Sequence, residues 1–136
     1  MTNEELVSIA KKAMENSYSP YSEFKVGAAA LGISGTVYTG ANIENASYGA
    51  TVCAERVAFF RAVQEGERDF LAIAIVGGLR NGKIDSYAFP CGICRQVMSE
   101  FCGEDFKIIV AKSLEEYQVY SLGELMPHAF GGEQIK

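Results

Sequence analysis

The sequence predicts an α/β fold, built as a three-layer α/β/α sandwich around a mixed sheet of roughly five strands. Three observations point to it: an amphipathic helix pattern at the N-terminus, a hairpin of small residues behind it, and an alternation of helices and apolar strands thereafter. The length of 136 residues suits one hydrophobic core, so residues 1–136 are expected to form a single domain.

The opening helix is predicted to begin after Thr2 or Asn3, and the proline-containing segment Tyr18–Tyr21 ends it. Phe24–Leu31 is predicted as a strand that pairs with Thr36–Gly40 across a Ser-Gly turn. The later elements are predicted in chain order as a helix at Cys53–Glu65, a buried strand at Phe70–Val76, a polar loop at Leu79–Tyr87, a short helix at Cys91–Phe101, a buried strand at Phe106–Ala111, a short strand at Tyr117–Tyr120 and a helical turn at Leu122–Met126.

The composition narrows the class of partner. Twelve Lys and Arg stand against 17 Asp and Glu, a net charge of −5, and an acidic chain repels a phosphate backbone, so nucleic acid is not an expected partner. No run approaches the roughly 18 apolar residues of a membrane span, and the N-terminus lacks the apolar core of a signal peptide. The expected location is the cytoplasm, where four cysteines indicate metal binding or catalysis more than disulfides.

Two short segments carry the chemistry, CAER at 53–56 and PCGIC at 90–94. Cys91 and Cys94 are three apart, so on the first turn of a helix both sulfurs face the same side. Cys53 lies at the start of another helix, and the free amide hydrogens of a helix N-terminus favour thiolate over thiol. Thiolates are preferred ligands of zinc, and three of them leave one tetrahedral position open, as in a catalytic zinc site. One Zn²⁺ per chain is therefore expected.

Two residues that follow Cys53 have roles beside such a metal. Glu55 is near the zinc without needing to be a ligand, and a carboxylate there can take a proton from zinc-bound water and deliver it to a substrate nitrogen. Three thiolates leave the zinc electron-rich, and the Arg56 guanidinium can withdraw charge by bonding a thiolate sulfur.

The two segments together resemble the small, homotetrameric form of the cytidine and deoxycytidylate deaminase family. The resemblance extends from Tyr18 to about Phe130 and includes YSPYSEFKVGAA, GANIENASYG and PCGICRQV. It implies a family fold around a zinc held by three cysteines, with a glutamate that is not a ligand, as known zinc deaminases have. It also implies hydrolytic deamination of cytidine and deoxycytidine to uridine and deoxyuridine, in pyrimidine salvage, by attack of zinc-bound hydroxide at C4.

The resemblance also assigns residues to the substrate. It implies that Asn42 and Glu44 bind the ribose hydroxyls, and that Phe24 is an aromatic wall beside the pyrimidine. The Ala54 amide and the Glu55 carboxylate would read the base. A pocket shared between subunits of a homotetramer would be completed by a neighbouring chain, and the candidate residues are Ala46, Ser47, Tyr48 and Phe130.

Several alternatives remain open at this point. The substrate could be a modified cytosine nucleoside, such as a nucleoside antibiotic, and Ile93 between two ligands would narrow the pocket. A polynucleotide-editing deaminase would need a basic channel and stacking aromatics, which an acidic chain without tryptophan does not offer. A structural zinc module would need a fourth ligand, for which only Cys102 and His128 are available. Cys102 is expected to be a packed thiol, and Phe24 and Phe130 could simply be core residues.

Overall fold

The computed structural model describes residues 1–79 and 83–135. Within them, nine regular elements follow one another: α1 (Asn3–Ala13), β1 (Phe24–Gly32), β2 (Val37–Ala41), α2 (Ala54–Gln64), β3 (Phe70–Leu79), α3 (Gly92–Phe101), β4 (Lys107–Ala111), β5 (Tyr117–Ser121) and α4 (Leu122–Leu125). Short 3₁₀ turns occur at Met14–Asn16, Tyr48–Ala50 and Gly132–Gln134. No helix of the described part is both long and apolar enough to cross a bilayer.

The strands form one five-stranded sheet in the order β2-β1-β3-β4-β5. β3 and β4 are parallel, and the other neighbouring pairs are antiparallel. The parallel pair needs a crossover connection, and α3 lies within it. The predicted α/β class and mixed sheet of about five strands are both confirmed.

Alternation along the strands produces the three layers. Successive side chains of a strand point to opposite faces, and in β3 the residues Ala72, Ala74 and Val76 pack in one apolar cluster with α1. Ile73 and Ile75 pack in a second cluster with residues of α2 and α3. The sheet is therefore covered by α1 on one face and by α2 and α3 on the other.

The strand β3 is longer than the sequence predicts. It runs to Leu79 instead of ending at Val76, because Gly77 and Gly78 continue the pairing with Val26 and Lys25. A Cβ at Gly77 would lie 2.8 Å from the Ala88 side chain and 2.9 Å from the Phe24 ring, so only glycine leaves room for these neighbours. Leu79, predicted as the first residue of the loop Leu79–Tyr87, is therefore the last residue of β3, and positions 80–82 of that loop lie outside the described residues.

Both metal-motif helices begin one residue after the predicted start. Cys53 and Cys91 are N-cap residues with extended backbone, and α2 and α3 begin at the residues that follow them. Gly40 on β2 lets the α2 N-terminus approach closely, since a Cβ there would lie 2.3 Å from the Ala54 carbonyl oxygen. The sheet thus fixes the position of the first cysteine.

Candidate active site

The three cysteines of the two motifs meet in space. Sγ of Cys91 lies 3.7 Å from Sγ of Cys53 and 3.5 Å from Sγ of Cys94, and the three sulfurs lie within 4.8 Å of one another. Sulfurs at about 2.3 Å from a tetrahedral zinc are about 3.8 Å apart. The trio therefore fits three corners of a zinc tetrahedron. Within the described part of the chain, this cluster includes neither Cys102 nor His128.

Two helix N-termini create this arrangement. Cys53 and Cys91 are the N-caps of α2 and α3, and neither side chain accepts a capping hydrogen bond. Cys94 lies on the first turn of α3 and is 1% exposed. The unpaired amide hydrogens and the helix dipoles stabilise negative charge at both helix starts. These are the conditions under which thiols become metal-binding thiolates.

The charge on the thiols is shared unequally. A hydrogen bond with Cys94, assisted by the Arg56 guanidinium, lowers the pKa of Cys53 to about 5, whereas the same bond and burial raise the pKa of Cys94. Nη2 of Arg56 lies 3.5 Å from Sγ of Cys53. Nε of Arg56 is buried and has no protein partner among the described residues. The structure therefore places Arg56 where the sequence reasoning put it, against a thiol of the cluster.

Glu55 is almost fully buried beside the thiols, with 4% of its surface exposed. Burial raises the pKa of Glu55 to about 7. The side chain is on the first turn of α2 and lines the same cavity as Cys53 and Cys91. A carboxyl group that exchanges its proton near neutral pH is suited to general acid–base catalysis.

A cavity of about 240 Å³ opens next to the cluster. Its lining includes four residues that the sequence assigned to substrate or catalysis: Phe24, Asn42, Ala54 and Glu55. Sequence reasoning missed Phe89, which also lines the cavity and is 44% exposed. Its position directly before Pro90 and the metal motif is the signal that could have identified it.

Asn42 is 9% exposed and directs its side chain to the protein. Oδ1 accepts hydrogen bonds from the Val26 amide at 2.9 Å and from the Ser17 hydroxyl, and Nδ2 donates to the Phe24 carbonyl at 2.8 Å. These bonds join the start of β1 to the segment that follows β2. Because three hydrogen bonds join it to the protein, the side chain holds the cavity wall in place. Within the described residues, one of its amide hydrogens is left for a ligand.

Glu44 lines a second cavity of about 370 Å³, with Tyr21, Tyr48 and Thr51 among the lining residues. Thr51 also lines the first cavity, so the two cavities are neighbours on either side of this residue. Oε1 accepts bonds from the amides of Tyr21 and Ser22 at 2.9 and 3.1 Å, and the Ser22 hydroxyl bonds Oε2. The bond from Ser22 lowers the pKa of Glu44. The carboxylate is therefore ionised and held in place.

The remaining candidates lie away from the thiols in this chain. Ala46 and Ser47 are exposed, and Tyr48, 79% exposed, packs edge-on against Tyr21 with ring centroids 6.4 Å apart. Phe130 is 58% exposed and lines a separate cavity beside Cys102. The structure thus does not bring these residues to the cluster of three cysteines in the same chain.

Ile93, Cys102 and His128 do not line the cavity beside the thiols. Ile93 is 61% exposed and does not line the cavity beside the thiols, so the expected narrowing is not seen in this chain. Burial raises the pKa of Cys102 to about 12, in keeping with a packed thiol. His128 is exposed and lines a different surface depression, next to Glu104 and Asp105.

Comparisons with known proteins agree on one family. The family model described as "Cytidine and deoxycytidylate deaminase zinc-binding region" matches residues 1–111, which contain the three clustered cysteines. The chain is 46% identical over 135 residues to a cytidine deaminase of Halalkalibacterium halodurans, covering 99% of this chain and 98% of that protein.

Solved structures give the same result. A cytidine deaminase from Burkholderia pseudomallei has a TM-score of 0.87 at 44% identity, covering 96% of this chain and 100% of that one. A cytidine deaminase from Mycobacterium tuberculosis has a TM-score of 0.77 at 39% identity, with coverages of 93% and 95%.

Proposed function

Because this chain belongs to the cytidine and deoxycytidylate deaminase family, we propose that it hydrolyses cytidine and deoxycytidine to uridine and deoxyuridine, releasing ammonia. The observation that carries the proposal is the meeting of three thiols and a buried carboxylate at one small cavity. Residues 1–136 would act as one deaminase domain. The relatives and solved structures compared are cytidine deaminases, so a modified cytosine nucleoside is not the favoured substrate.

The domain is a zinc-binding one, and its residues fit that metal. Cys53, Cys91 and Cys94 would hold the ion, because their spacing matches a zinc–thiolate tetrahedron with one corner left for a water. Zinc bound there would act as a Lewis acid that makes a water molecule nucleophilic near neutral pH. The Arg56 guanidinium draws charge from the Cys53 thiolate, which keeps the centre electron-poor enough for this purpose.

Glu55 is proposed to move the protons. It takes one proton from the attacking water and delivers it to N3 of the ring. It then takes the remaining proton from that oxygen, now bonded to C4, and gives it to the departing amine. The C4–N bond breaks, a C4–O bond forms, and ammonia leaves. The side chain lines the cavity but is otherwise buried, so its proton is exchanged with the substrate rather than with bulk water.

The substrate is proposed to span the two neighbouring cavities. A volume of about 240 Å³ is small for a ligand pocket and suits a pyrimidine ring flanked by Phe24, with the Ala54 amide and Glu55 reading its polar edge. The ribose would extend past Thr51 toward Glu44. Asn42 and Glu44 would bind the 3′-hydroxyl, and the 2′-hydroxyl would matter less.

The pocket is proposed to be completed by a neighbouring chain of a homotetramer. Tyr48 and Phe130 expose 79% and 58% of their surface, and aromatic residues are enriched in subunit interfaces. Ala46 and Ser47 lie beside Tyr48 in an exposed loop. We further propose a role in pyrimidine salvage in the cytoplasm, where the thiol ligands stay reduced, and a net charge of −5 makes nucleic acid an unsuitable substrate.

The test is an ultraviolet assay of zinc-loaded protein with cytidine, deoxycytidine, free cytosine and a modified cytosine nucleoside. We expect both nucleosides to be deaminated and cytosine to be nearly inert, because it lacks the sugar that Glu44 binds. Metal analysis should give about one zinc per chain, and the C53A/C91A/C94A variant should bind none. Zinc-loaded protein that leaves cytidine unchanged would refute the activity. If light scattering shows a monomer and that monomer turns over cytidine rapidly, the shared pocket would be refuted.

A further inference from the structure

Cys91 is the least constrained of the three thiols. It is exposed, its backbone is extended, and its side chain makes no capping hydrogen bond to an amide of α3. Cys94, by contrast, is 1% exposed inside α3. The Sγ of an exposed N-cap residue moves with the two peptide groups that flank it, so some other group must hold those peptides if the metal site is to be preformed.

A single residue holds both peptide groups. The Arg95 backbone amide donates to the Cys91 carbonyl at 3.0 Å, which is the ordinary first-turn bond of α3. What is particular to the arginine is that Nε of its side chain donates to the Pro90 carbonyl at 2.8 Å. The carbonyls before and after the Cys91 nitrogen are thus both bonded to Arg95. Pro90 is itself fully buried, so the arginine connects the exposed cysteine to a fixed point.

The guanidinium is fixed from its other side as well. Its Nη1 donates to the Leu125 carbonyl at 2.7 Å, at the last residue of α4. Helix-terminal carbonyls lack partners within their own helix, and here the arginine supplies one. Because the guanidinium is planar and its donors form a rigid fork, two bonds in different directions fix its orientation. The part-buried Arg95 side chain is therefore fixed at both ends of its guanidinium by hydrogen bonds.

We propose that Arg95 is a positioning residue for the metal site: its guanidinium fixes the Cys91 ligand by holding the peptide group that precedes it, and is itself held by the end of α4. The inference rests on the proposed role of Cys91 as a zinc ligand. It differs from the role of Arg56, which touches a sulfur and acts on its charge. Among the described residues the Arg95 side chain bonds carbonyl oxygens and no sulfur, so its loss should change metal retention and geometry, not the pH dependence of the reaction.

Gln96 provides a matched control. It is the next residue on α3, and its Nε2 donates to the Phe130 carbonyl at 2.9 Å. It therefore fastens the same C-terminal segment to α3, and within the described residues its side chain makes no hydrogen bond to Pro90 or Cys91. A Q96L variant removes one tether of that segment and leaves the Cys91 peptides bonded.

The experiment compares wild type with R95Q, R95K and Q96L, each loaded with zinc. The readouts are the rate of zinc transfer to the chromophoric chelator 4-(2-pyridylazo)resorcinol and the visible absorption of the Co²⁺-substituted protein. Residues that orient a metal ligand typically contribute about 10- to 100-fold in affinity. We expect R95Q to release zinc about 10- to 100-fold faster, R95K to fall between it and wild type, and Q96L to match wild type. The thiolate–cobalt band should change in R95Q alone.

Three results would overturn the proposal. The first is an R95Q protein with the wild-type rate of zinc release and an unchanged cobalt spectrum. The second is a Q96L protein that releases zinc as fast as R95Q. The third applies if R95Q does not fold, and is an R95K protein that releases zinc at the wild-type rate. The melting temperature of the metal-free variants separates a general loss of stability from a loss at the site, because a purely structural arginine would lower it without changing the cobalt spectrum. A C91A variant tests the premise separately: stoichiometric zinc in C91A would refute the ligand assignment, and its loss there leaves the R95Q result to decide the role of Arg95.

Discussion

Asn42 offers the sharpest test of how the substrate cavity is built. Its side chain makes three hydrogen bonds to the protein, with Ser17, Phe24 and Val26, and it is 9% exposed. Replacing it with alanine leaves a part-buried carbonyl, a part-buried amide and a hydroxyl without that partner. At about 1 kcal/mol for each lost bond, the free energy of unfolding should fall by about 3 kcal/mol.

The assay is urea unfolding of zinc-loaded N42A and wild type at one fixed protein concentration, since subunit association would add to the apparent stability. For a domain of this size, about 3 kcal/mol corresponds to a drop of about 10 °C in melting temperature. Asn45 supplies the control: it is exposed, and its Oδ1 accepts one local bond from the Ser47 amide at 2.9 Å. N45A should cost less than about 1 kcal/mol.

The outcome decides between two roles for Asn42. If its protein bonds dominate, N42A loses stability and its catalytic defect follows from a displaced Phe24 wall. If the N42A free energy of unfolding stays within about 1 kcal/mol of wild type while kcat/KM collapses, Asn42 serves mainly to bind the sugar, and the reasoning from its buried bonds is wrong.

Three other predictions concern the centre itself. E55Q should keep its zinc but lose at least about 100-fold in turnover, because an amide cannot transfer protons; loss of the metal would instead make Glu55 a ligand. R56Q should also keep zinc, with its pH–rate profile moved upward because the Cys53 thiolate then donates more charge to the metal, and an unchanged profile at full activity would contradict this role. Burial raises the pKa of Cys102 from 9.0 to about 12. At pH 8 iodoacetamide should therefore not modify Cys102 in the folded protein, whereas it should modify Cys102 in urea-unfolded protein. The stability that the protonated thiol contributes is present below about pH 9 and is lost as pH rises toward 12.

The sequence predicted the order of elements because the signals for each are local. Pro90 at a helix entrance and Gly66 behind a helix end are read from a few neighbouring residues. The predicted β3 ended too early because Gly77 and Gly78 look like strand breakers, yet they remain in the ladder opposite β1. Their reason for being glycine lies in tertiary packing, which a local pattern does not contain.

The long-range features divide by chemistry. Cys53 and Cys91 are 38 residues apart, yet their meeting could be predicted, because thiols at the starts of two helices, two of them three residues apart, have the spacing of a metal site. The partners of Asn42 lie 16 to 25 residues away, and the Leu125 carbonyl lies 30 residues from Arg95. Amides and guanidinium groups bond any carbonyl that the fold supplies, so their partners emerge only from the structure.

The starts of the four helices show where stability gives way to chemistry. At α1 and α4 the N-cap side chains of Thr2 and Ser121 accept hydrogen bonds from the first-turn amides, both at 3.1 Å. At α2 and α3 the N-caps are Cys53 and Cys91, and neither makes such a bond. A proper cap is worth about 1 kcal/mol, so the two metal-motif helices forgo about 2 kcal/mol in local stability. What they keep is a set of unpaired amide hydrogens and two dipoles beside the thiols, which favour the thiolate form that a metal requires. The same chain caps its other two helices, so the omission follows from the site and not from a general tolerance of uncapped helices.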